Sequence, residues 1–367
     1  MQVAALAITM CLPITANMIV GEVSDKLQSR AKKTPLIFGA KGDRFDLTIN
    51  SLFFRGAPSS EISMLEYNRV KNENRGSVVP IILGFTAKKY PVVGTTTEYF
   101  LERTLVPKSG TLPLVLGDVT LGYLCAKRLS LKEGDHILTD QVNLYNLSAN
   151  NPVKLNITGI LEESKSADDE TLFVNLQTSW LLSGIGHGHV KIDDKTSSES
   201  ILSKNKSSIT ANASLENYIE VNDENINAFH FHKEQENLPI SSLLAFPKNI
   251  KDETILKGNY INDKTVQSIR PREIVSELLE FVFKIKQFLN TSFILTGIAA
   301  SLFLLALILL SIQTRKREIK TLFLIGCDRK TLALLFIGEL AILSCMALLV
   351  SIITAYALKS LAIGLII

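Results

Sequence analysis

Three apolar segments of the chain are each long enough to cross a membrane, and they restrict the possible folds. Residues 1–21 and 291–312 carry no charged side chain, and residues 331–358 carry only Glu339. A helix needs about 20 predominantly apolar residues to span the hydrocarbon core of a bilayer. We therefore predict transmembrane helices at 1–21, 291–313 and 331–358. The first segment can alternatively be a signal peptide, although it lacks the usual basic start.

The region between the first two apolar segments, residues 22–286, has the mixed composition of a folded domain. It contains 32 Lys and Arg against 33 Asp and Glu, so it is nearly neutral. Strand-like and helix-like segments alternate along it, which predicts an α+β domain. Residues 271–290 have helical periodicity and begin with Pro271, so we expect a stalk helix that continues into the second span.

Two segments of this region have weaker signals. Residues 194–226 are rich in Ser, Asn, Lys and Glu with few apolar positions, which predicts a mobile loop or an insertion. The stretches FHFH and SSLLAFPKN, at 229–232 and 241–249, are expected to form a returning pair of strands.

Outside residues 22–286, nearly all positive charges lie in one short segment. The whole chain has 39 Lys and Arg against 36 Asp and Glu, and a net charge of +3 gives no electrostatic case for nucleic-acid binding. Residues 315–330, RKREIKTLFLIGCDRK, hold six positive charges between two apolar segments. By the positive-inside rule this segment is cytoplasmic, and residues 22–286 are then extracytoplasmic.

The sequence lacks the motifs of a hydrolytic enzyme. No GxxxxGK[ST] phosphate loop, GxSxG elbow or HExxH helix occurs in it. We therefore expect neither ATP hydrolysis nor a bound nucleotide in this chain. Three of the four cysteines lie in or beside the apolar segments, which leaves Cys125 alone in the large domain and predicts no disulfide framework.

The basic segment also has an amphipathic pattern. In a short helix, one apolar face would be formed by Ile319, Leu322, Phe323 and the Ile325–Gly326 pair. The polar residues Arg317, Glu318, Lys320 and Arg329 would face lipid headgroups or a partner. Such a helix suits a groove on another protein, and the alternative is a basic anchor that only fixes the topology.

The segment KREIKTLFLIGCDRKTLALLFIGE, residues 316–339, resembles the FtsX/MacB family of ABC-transporter permeases. In that family a basic residue and Glu-Ile precede a short helix that ends in Leu-x-Gly, and a Glu follows in the next span. The matching positions are Arg317, Glu318, Ile319, Leu324, Gly326, Cys327, Arg329 and Glu339. The stretches GAKGDRFDLTINSLFFRGAP, VVPIILG and VVGTTTEYF are similar to a bacterial subgroup of these permeases.

The resemblance implies an α-helical membrane protein with a MacB-like periplasmic core domain. It would be a multi-pass permease subunit of the bacterial inner membrane, coupling a separate cytoplasmic ATPase, which binds ATP and Mg²⁺, to movement of its outer domain. Export, extraction or mechanotransmission would be the outcome. Expected partners are that ATPase, a second permease copy in a homodimer or heterodimer, membrane lipids, and a periplasmic adaptor or lipoprotein.

Glu339 lies inside the third span, where a carboxylate is costly and usually faces protein or water. It would make a polar contact between spans, and the alternatives are a proton relay or a carboxyl satisfied near the headgroups. The family has four spans, and residues 359–367 are too short to cross the bilayer, so we expect the fourth span to be missing here. The residues expected to couple to the ATPase are Arg317, Glu318, Ile319, Leu322, Leu324, Gly326 and Arg329.

Four of the five histidines occur in two tight pairs. His187 and His189 lie in GHGH, and His230 and His232 lie in FHFH. Zinc usually takes three or four such ligands, so the two pairs could together hold a metal ion if the fold brings them into contact. These pairs favour an alternative function, a membrane-anchored extracytoplasmic binding or sensing module without transport.

Overall fold

The structure is a computed structural model, and it divides into two compact units. It describes residues 2–56, 58, 60–140, 152–188, 201–205, 208–211, 219–222, 225–226, 229–231 and 234–366. Residues Met1–Gln28 and Ser276–Ile367 form one unit, called the helical unit below. Residues Ser29–Val275 form the other, called the sheet unit.

The described residues form ten α-helices and seventeen strands. The helices are α1 (Gln2–Lys32), α2 (Arg44–Phe53), α3 (Met64–Asn72), α4 (Thr97–Arg103), α5 (Tyr123–Leu129), α6 (Leu176–Leu182), α7 (Ile250–Asn259), α8 (Pro271–Thr314), α9 (Lys316–Leu324) and α10 (Arg329–Ile366). The strands are β1 (Leu36–Ala40), β2 (Ile62–Ser63), β3 (Gly76–Ala87), β4 (Tyr90–Thr95), β5 (Pro107–Gly110), β6 (Asp118–Leu121), β7 (His136–Leu138), β8 (Val153–Leu161), β9 (Leu172–Asn175), β10 (Gly186–Gly188), β11 (Ile201–Asn205), β12 (Ser208–Ala211), β13 (Ile219–Glu220), β14 (Phe229–Phe231), β15 (Pro239–Ile240), β16 (Ser242–Pro247) and β17 (Val266–Ile269).

Most of these strands join one mixed sheet. Its strand order is β13-β8-β6-β9-β4-β3-β16-β1-β17, and β5 and β7 also pair with β8. β4 pairs with β9 in parallel and with β3 in antiparallel orientation, so the sheet is mixed. With helices packed against this sheet, the expected α+β class is confirmed.

Local sequence signals explain many of the elements of the sheet unit. In β8, VKLNITGIL, buried and half-buried residues alternate because successive side chains of a strand point to opposite faces. Asn175 caps α6 by accepting from the Thr178 amide at 2.8 Å, and Asn249 caps α7 by accepting from the Asp252 amide at 2.9 Å. These side chains satisfy amides that the first turn of a helix leaves unpaired.

Two hydrophobic cores lie within the sheet unit. Phe85 of β3 packs against both of them, so this central strand connects the two. The first core includes Leu36, Phe38, Val70, Trp180, Ile240, Leu243 and Tyr260. The second core includes Val92, Val119, Leu121, Leu155, Leu172, Val174 and Val221.

The sheet unit also contains a buried ion pair between Arg30 and Asp168. The Arg30 guanidinium donates to both carboxylate oxygens of Asp168 at 2.7 and 2.9 Å, to the Tyr99 hydroxyl at 3.0 Å, and through Nε to the Leu52 carbonyl. The Tyr99 hydroxyl also donates to Asp168 at 2.5 Å. Burial opposes ionisation of Asp168, but Arg30 outweighs it and lowers the pKa of that carboxyl well below its usual range.

Two expectations about the sheet unit are wrong. The region 194–226, expected to be a mobile loop or an insertion, is not loop throughout: it contains β11 and β12, which pair in antiparallel orientation, and β13, which pairs with β8. Polar residues can form these strands because a ladder needs only backbone donors and acceptors. The stretches FHFH and SSLLAFPKN do not pair with each other, because β14 pairs with β10 whereas β16 pairs with β1 and β3.

The helical unit contains long apolar helices. Three helical segments in the described part of the chain are long and apolar enough to cross a membrane, namely Ala7–Lys32, Pro271–Thr314 and Ala341–Ser360. The helix α8 is continuous from Pro271, and α10 continues to Ile366, past the end at residue 358 that its sequence suggests.

Small residues and polar contacts connect the helices of this unit. Residues at four-residue spacing are buried on α1 (Ala7, Cys11, Thr15) and on α10 (Ala347, Ser351, Ala355), a pattern typical of closely packed membrane helices. The Thr354 hydroxyl lies 3.3 Å from the Cys11 sulfur, and Lys359 Nζ lies 2.7 Å from Glu22 Oε2. Both contacts advance along α1 and α10 in the same direction, so these two helices run parallel.

Candidate functional site

The candidate site is the elbow, defined as residues 315–330 between α8 and α10. The chain leaves α8 at Arg315, whose φ of −91° and ψ of 15° depart from helical values. The Arg315 amide still bonds to the Ser311 carbonyl at 3.0 Å, and the Ile319 amide bonds to the Arg315 carbonyl at 3.0 Å. One non-helical residue thus separates two helices and lets α9 begin in a new direction.

The short helix α9 is amphipathic, as its sequence predicts. Ile319, Leu322 and Phe323, at i, i+3 and i+4, fall on one face of the helix. Leu322 is 41% and Phe323 is 53% exposed. Large apolar side chains in this state suit burial against a partner or a membrane surface.

A glycine turn ends α9. Gly326 has a φ of +100°, in the left-handed region that side chains other than glycine rarely adopt. The Cys327 amide bonds to the Leu322 carbonyl, and the Gly326 amide bonds to the Phe323 carbonyl, each at 3.1 Å. This is the pattern of a Schellman cap, which satisfies the last carbonyls of the helix and reverses the chain. No atom lies within 4 Å of a Cβ placed at Gly326, so its backbone conformation alone requires glycine.

A carboxylate starts the helix that follows. Asp328 accepts hydrogen bonds from the Thr331 amide and from the Thr331 hydroxyl, each at 2.7 Å. The backbone amide of Thr331 lowers the pKa of this carboxyl below its ordinary value. Asp328 is not among the site residues predicted from the sequence. An aspartate just before a helical stretch is an N-cap signal, and that signal could have identified it.

The elbow places the expected coupling residues in three groups. Arg317, Glu318 and Ile319 lie in the first turns of α9, and both Arg317 and Glu318 are exposed. Leu324 is the last residue of α9 and is 77% exposed. It lies four residues after Lys320 and therefore shares the face of Lys320, outside the apolar face that contains Leu322. Arg329 is the first residue of α10, beyond the turn at Gly326.

The other expected site residues lie elsewhere in the chain. Glu339 is in α10, and its side chain lies outside what the structure describes. His187 of β10 is the direct antiparallel partner of His230 of β14. His189 and His232 lie outside the described residues. In the described part of the chain, no group of three or more His, Cys, Asp and Glu residues is arranged to hold a metal ion.

One family model matches the C-terminal part of the chain. The family model described as FtsX-like permease C-terminal matches residues 290–366. That range contains the end of α8, the whole elbow and α10. No curated protein sequence matches the chain.

Several solved structures resemble part of the chain. The periplasmic region of MacB from Actinobacillus actinomycetemcomitans has 11% identity and a TM-score of 0.37, covering 69% of this chain and 97% of its own. The extracellular domain of the noncanonic ABC-type transporter YknZ from Gram-positive bacteria has 9% identity and a TM-score of 0.34, covering 64% and 99%. A domain of a putative permease protein from Porphyromonas gingivalis has 8% identity and a TM-score of 0.28, covering 64% and 86%.

The family model matches the same segment in which the sequence resembles the FtsX/MacB permeases. That segment includes Arg317, Glu318, Gly326 and the turn between α9 and α10. The expected resemblance to FtsX/MacB-like permeases is therefore confirmed. The chain has helices long and apolar enough to cross a membrane, and its residues 290–366 are similar to the C-terminal part of FtsX-like permeases.

Proposed function

We propose that this protein is the permease subunit of an ABC transporter and that its elbow docks onto a separate cytoplasmic ATPase. The observation that carries the proposal is the exposed apolar face of α9, held between two apolar helices inside the segment that matches FtsX-like permeases. An amphipathic helix of this kind binds by laying its apolar face into a groove. ATP and Mg²⁺ would be bound by the partner, since this sequence contains no phosphate loop.

The proposed topology places the elbow in the cytoplasm and the sheet unit outside it. Six positive charges in residues 315–330 favour the cytoplasmic side for the elbow. The parallel course of α1 and α10 is consistent with α8 as a span between them, which would put the elbow and the sheet unit on opposite sides of the membrane but does not say which side is cytoplasmic. In a bacterium the protein would then be a multi-pass protein of the inner membrane.

The proposed mechanism transmits nucleotide-driven movement of the ATPase to the spans through the elbow. The one-residue break at Arg315 and the cap at Gly326 hold α9 between α8 and α10 with short connections. A displacement of α9 would therefore be passed to both helices, with export, extraction or mechanotransmission as the outcome. A second copy of this chain or a related permease, and an outside adaptor or lipoprotein, would complete the assembly.

A pull-down from native membranes tests the docking proposal. The tagged full-length chain is expected to bring down a protein with a phosphate-loop motif, detected by mass spectrometry and by ATPase activity. Phe323→Asp is expected to abolish that association, because it places a charge on the apolar face of α9. Thr321→Asp is the matched control, since Thr321 is exposed on the opposite face of the same helix and its replacement should leave the association intact.

The amount of each variant in the membrane is measured alongside, so that failed insertion is separated from lost docking. The proposal is wrong if the wild-type chain brings down no ATPase. It is equally wrong if Phe323→Asp, inserted at the wild-type level, retains the ATPase.

A second candidate function is a membrane-anchored binding or sensing module without transport. The observation that favours it is the pairing of His187 with His230 in the sheet unit. This function predicts that the chain purifies without an ATPase, so the same pull-down distinguishes the two candidates.

A further inference from the structure

The strand β7 has an edge that faces away from its sheet. In the described part of the chain it pairs with β8 alone. The Thr139 amide, directly after β7, donates to the Val153 carbonyl of β8 at 3.0 Å. Backbone groups of successive residues in an antiparallel strand alternate in direction, so the amides and carbonyls of His136 and Leu138 point away from β8. Such an edge is a template for pairing with another chain.

The β3–β4 turn closes one end of this edge. The Asp140 amide donates to the Thr86 carbonyl at 2.7 Å. The Asp140 carboxylate accepts from the Lys88 and Lys89 amides at 2.9 and 2.8 Å, which fixes the turn beside the end of β7. The open part of the edge is therefore limited to β7 itself.

An apolar cavity of about 430 Å³ adjoins the edge. Its aliphatic lining comes from the end of α5, the loop that follows and β7, namely Leu129, Leu131, Ile137 and Leu138. Ile137 is buried, whereas Leu138 is 41% exposed, so the cavity reaches from the protein surface to the second core. Its volume lies in the range of cavities that bind ligands, and it can accept a large aliphatic side chain.

The charged side chains at this cavity are basic. Lys88, His136 and Lys154 line it, and no acidic side chain of the described residues does so. Lys154 Nζ lies 2.7 Å from Glu220 Oε1, so its charge is already paired. Lys88 and His136 are exposed. A ligand with a carboxylate near Lys88 would complement this charge.

We propose that β7 and its cavity bind an extended peptide segment of a partner protein by strand addition. The outward backbone groups of His136 and Leu138 would pair with the peptide backbone, and an aliphatic side chain of the peptide would enter the cavity. A carboxylate of the peptide, from an acidic side chain or from its C-terminus, would lie beside Lys88. The site belongs to the sheet unit and does not depend on docking by the elbow.

Selection from a library of random octapeptides with free C-termini tests this site. The full-length protein in detergent is the target, and a surface that carries detergent alone gives the background. We expect enriched peptides that combine an aliphatic residue with a carboxylate, and fluorescein-labelled copies should bind saturably, one per chain, in an anisotropy titration. Amidated copies should lose affinity if the carboxylate is that of the C-terminus and keep it if an acidic side chain supplies it.

A charge reversal at the cavity identifies the basic group. Lys88→Glu is expected to weaken binding of the selected peptides by about tenfold or more, because it places like charges together. Lys89→Glu is the matched control and should leave binding unchanged. Lys89 is the next residue of the same turn, is exposed and has a positive φ like Lys88, but it does not line the cavity.

A proline in β7 tests strand addition. Leu138→Pro removes an amide that points away from β8, so the pairing of β7 with β8 should survive while binding falls by about tenfold or more. Emission of Trp180, the only tryptophan, verifies that each variant is folded. The proposal is wrong if no peptide is enriched above the background. It is also wrong if the selected peptides bind Lys88→Glu and Leu138→Pro with wild-type affinity, because they would then be bound elsewhere.

Discussion

Among single residues, Arg30 and Asp168 have a large effect on stability because both charged groups are buried. Their side chains are 6% and 3% exposed, and the two hydrogen bonds between them satisfy both carboxylate oxygens. Removing charges from water is costly, and an ion pair offsets that cost only when its partners are both present and well oriented. Loss of one partner therefore leaves the other charge buried without compensation.

We expect Asp168→Asn to destabilise the sheet unit by about 3–5 kcal/mol, because the buried Arg30 charge would lose its counterion. Urea unfolding of the full-length protein in detergent measures this change. Trp180 is the only tryptophan and is buried in the first core, so its fluorescence reports on the sheet unit alone. A loss below about 1 kcal/mol would contradict the argument.

Two comparisons sharpen this prediction. Glu170→Gln breaks the pair with Arg128, whose side chain is 48% exposed, and should cost only about 0–1 kcal/mol.

The Asp168 pKa is lowered in the folded protein. The contribution of this carboxyl to the free energy of unfolding is therefore present above the unfolded value of about 3.9 and is lost as the pH falls below it. The difference between the wild type and Asp168→Asn should therefore be constant from about pH 8 to 5 and shrink below about pH 4.

At the scale of single elements, the sequence pattern predicts the helix α9, but the positions of the residues at its end depend on the turn that follows it. The apolar face predicted from the sequence comprises Ile319, Leu322, Phe323 and the Ile325–Gly326 pair. The structure confirms an amphipathic helix with the first three, but Ile325 and Gly326 follow its last residue, Leu324, and so do not belong to that face. The positions of Leu324 and Arg329 depend on the end of that helix. Gly326 reverses the chain after α9, so the apolar face and the basic start of α10 belong to different elements.

The packing of α1 against α10 gives a test at the same scale. We expect Thr354→Cys to form a disulfide with the native Cys11 when membranes are treated with a mild oxidant. The Thr354 hydroxyl lies 3.3 Å from the Cys11 sulfur, and a disulfide needs Cβ atoms about 3.5–4.5 Å apart. Mass spectrometry of the linked peptides, read before and after reduction, detects the bond.

Ile353→Cys is the matched control for this cross-link. Ile353 is the preceding residue of α10 and is 67% exposed, since one residue of a helix turns by about 100°. It should remain unlinked to Cys11. Equal cross-linking of both variants would mean that α10 does not keep this face towards α1.

At the scale of the whole molecule, the sidedness of the two units can be measured with the native cysteines. Cys125 is the only cysteine of the sheet unit, and burial raises the pKa of its thiol to about 12. It should therefore not react with a maleimide at neutral pH, because the thiolate is the nucleophile. Cys327 lies in the elbow and is half-buried.

We expect a membrane-impermeant maleimide to leave the native protein unlabelled in intact cells and to label Cys327 in inside-out vesicles. Ser109→Cys, at an exposed position of β5, should add labelling in intact cells, because the sheet unit would lie outside. Labelling of Cys327 from outside would reverse the proposed topology. Gel fluorescence after immunoprecipitation is the measurement.

Features that depend on local composition could be predicted from the amino-acid sequence. Apolar length identified the three candidate spans, charge bias identified the elbow, and helical spacing predicted its amphipathic helix. Short-range signals also gave the α+β class, because strand and helix periods are properties of neighbouring residues.

Which distant residues come into contact could be read from the three-dimensional fold but not from the sequence. Asp168 lies 138 residues after Arg30, and His230 lies 43 residues after His187, so no local pattern could join either pair. The same reason explains why FHFH and SSLLAFPKN were wrongly expected to pair. Strand partners are chosen by the packing of whole faces against a core, and that choice depends on the entire chain.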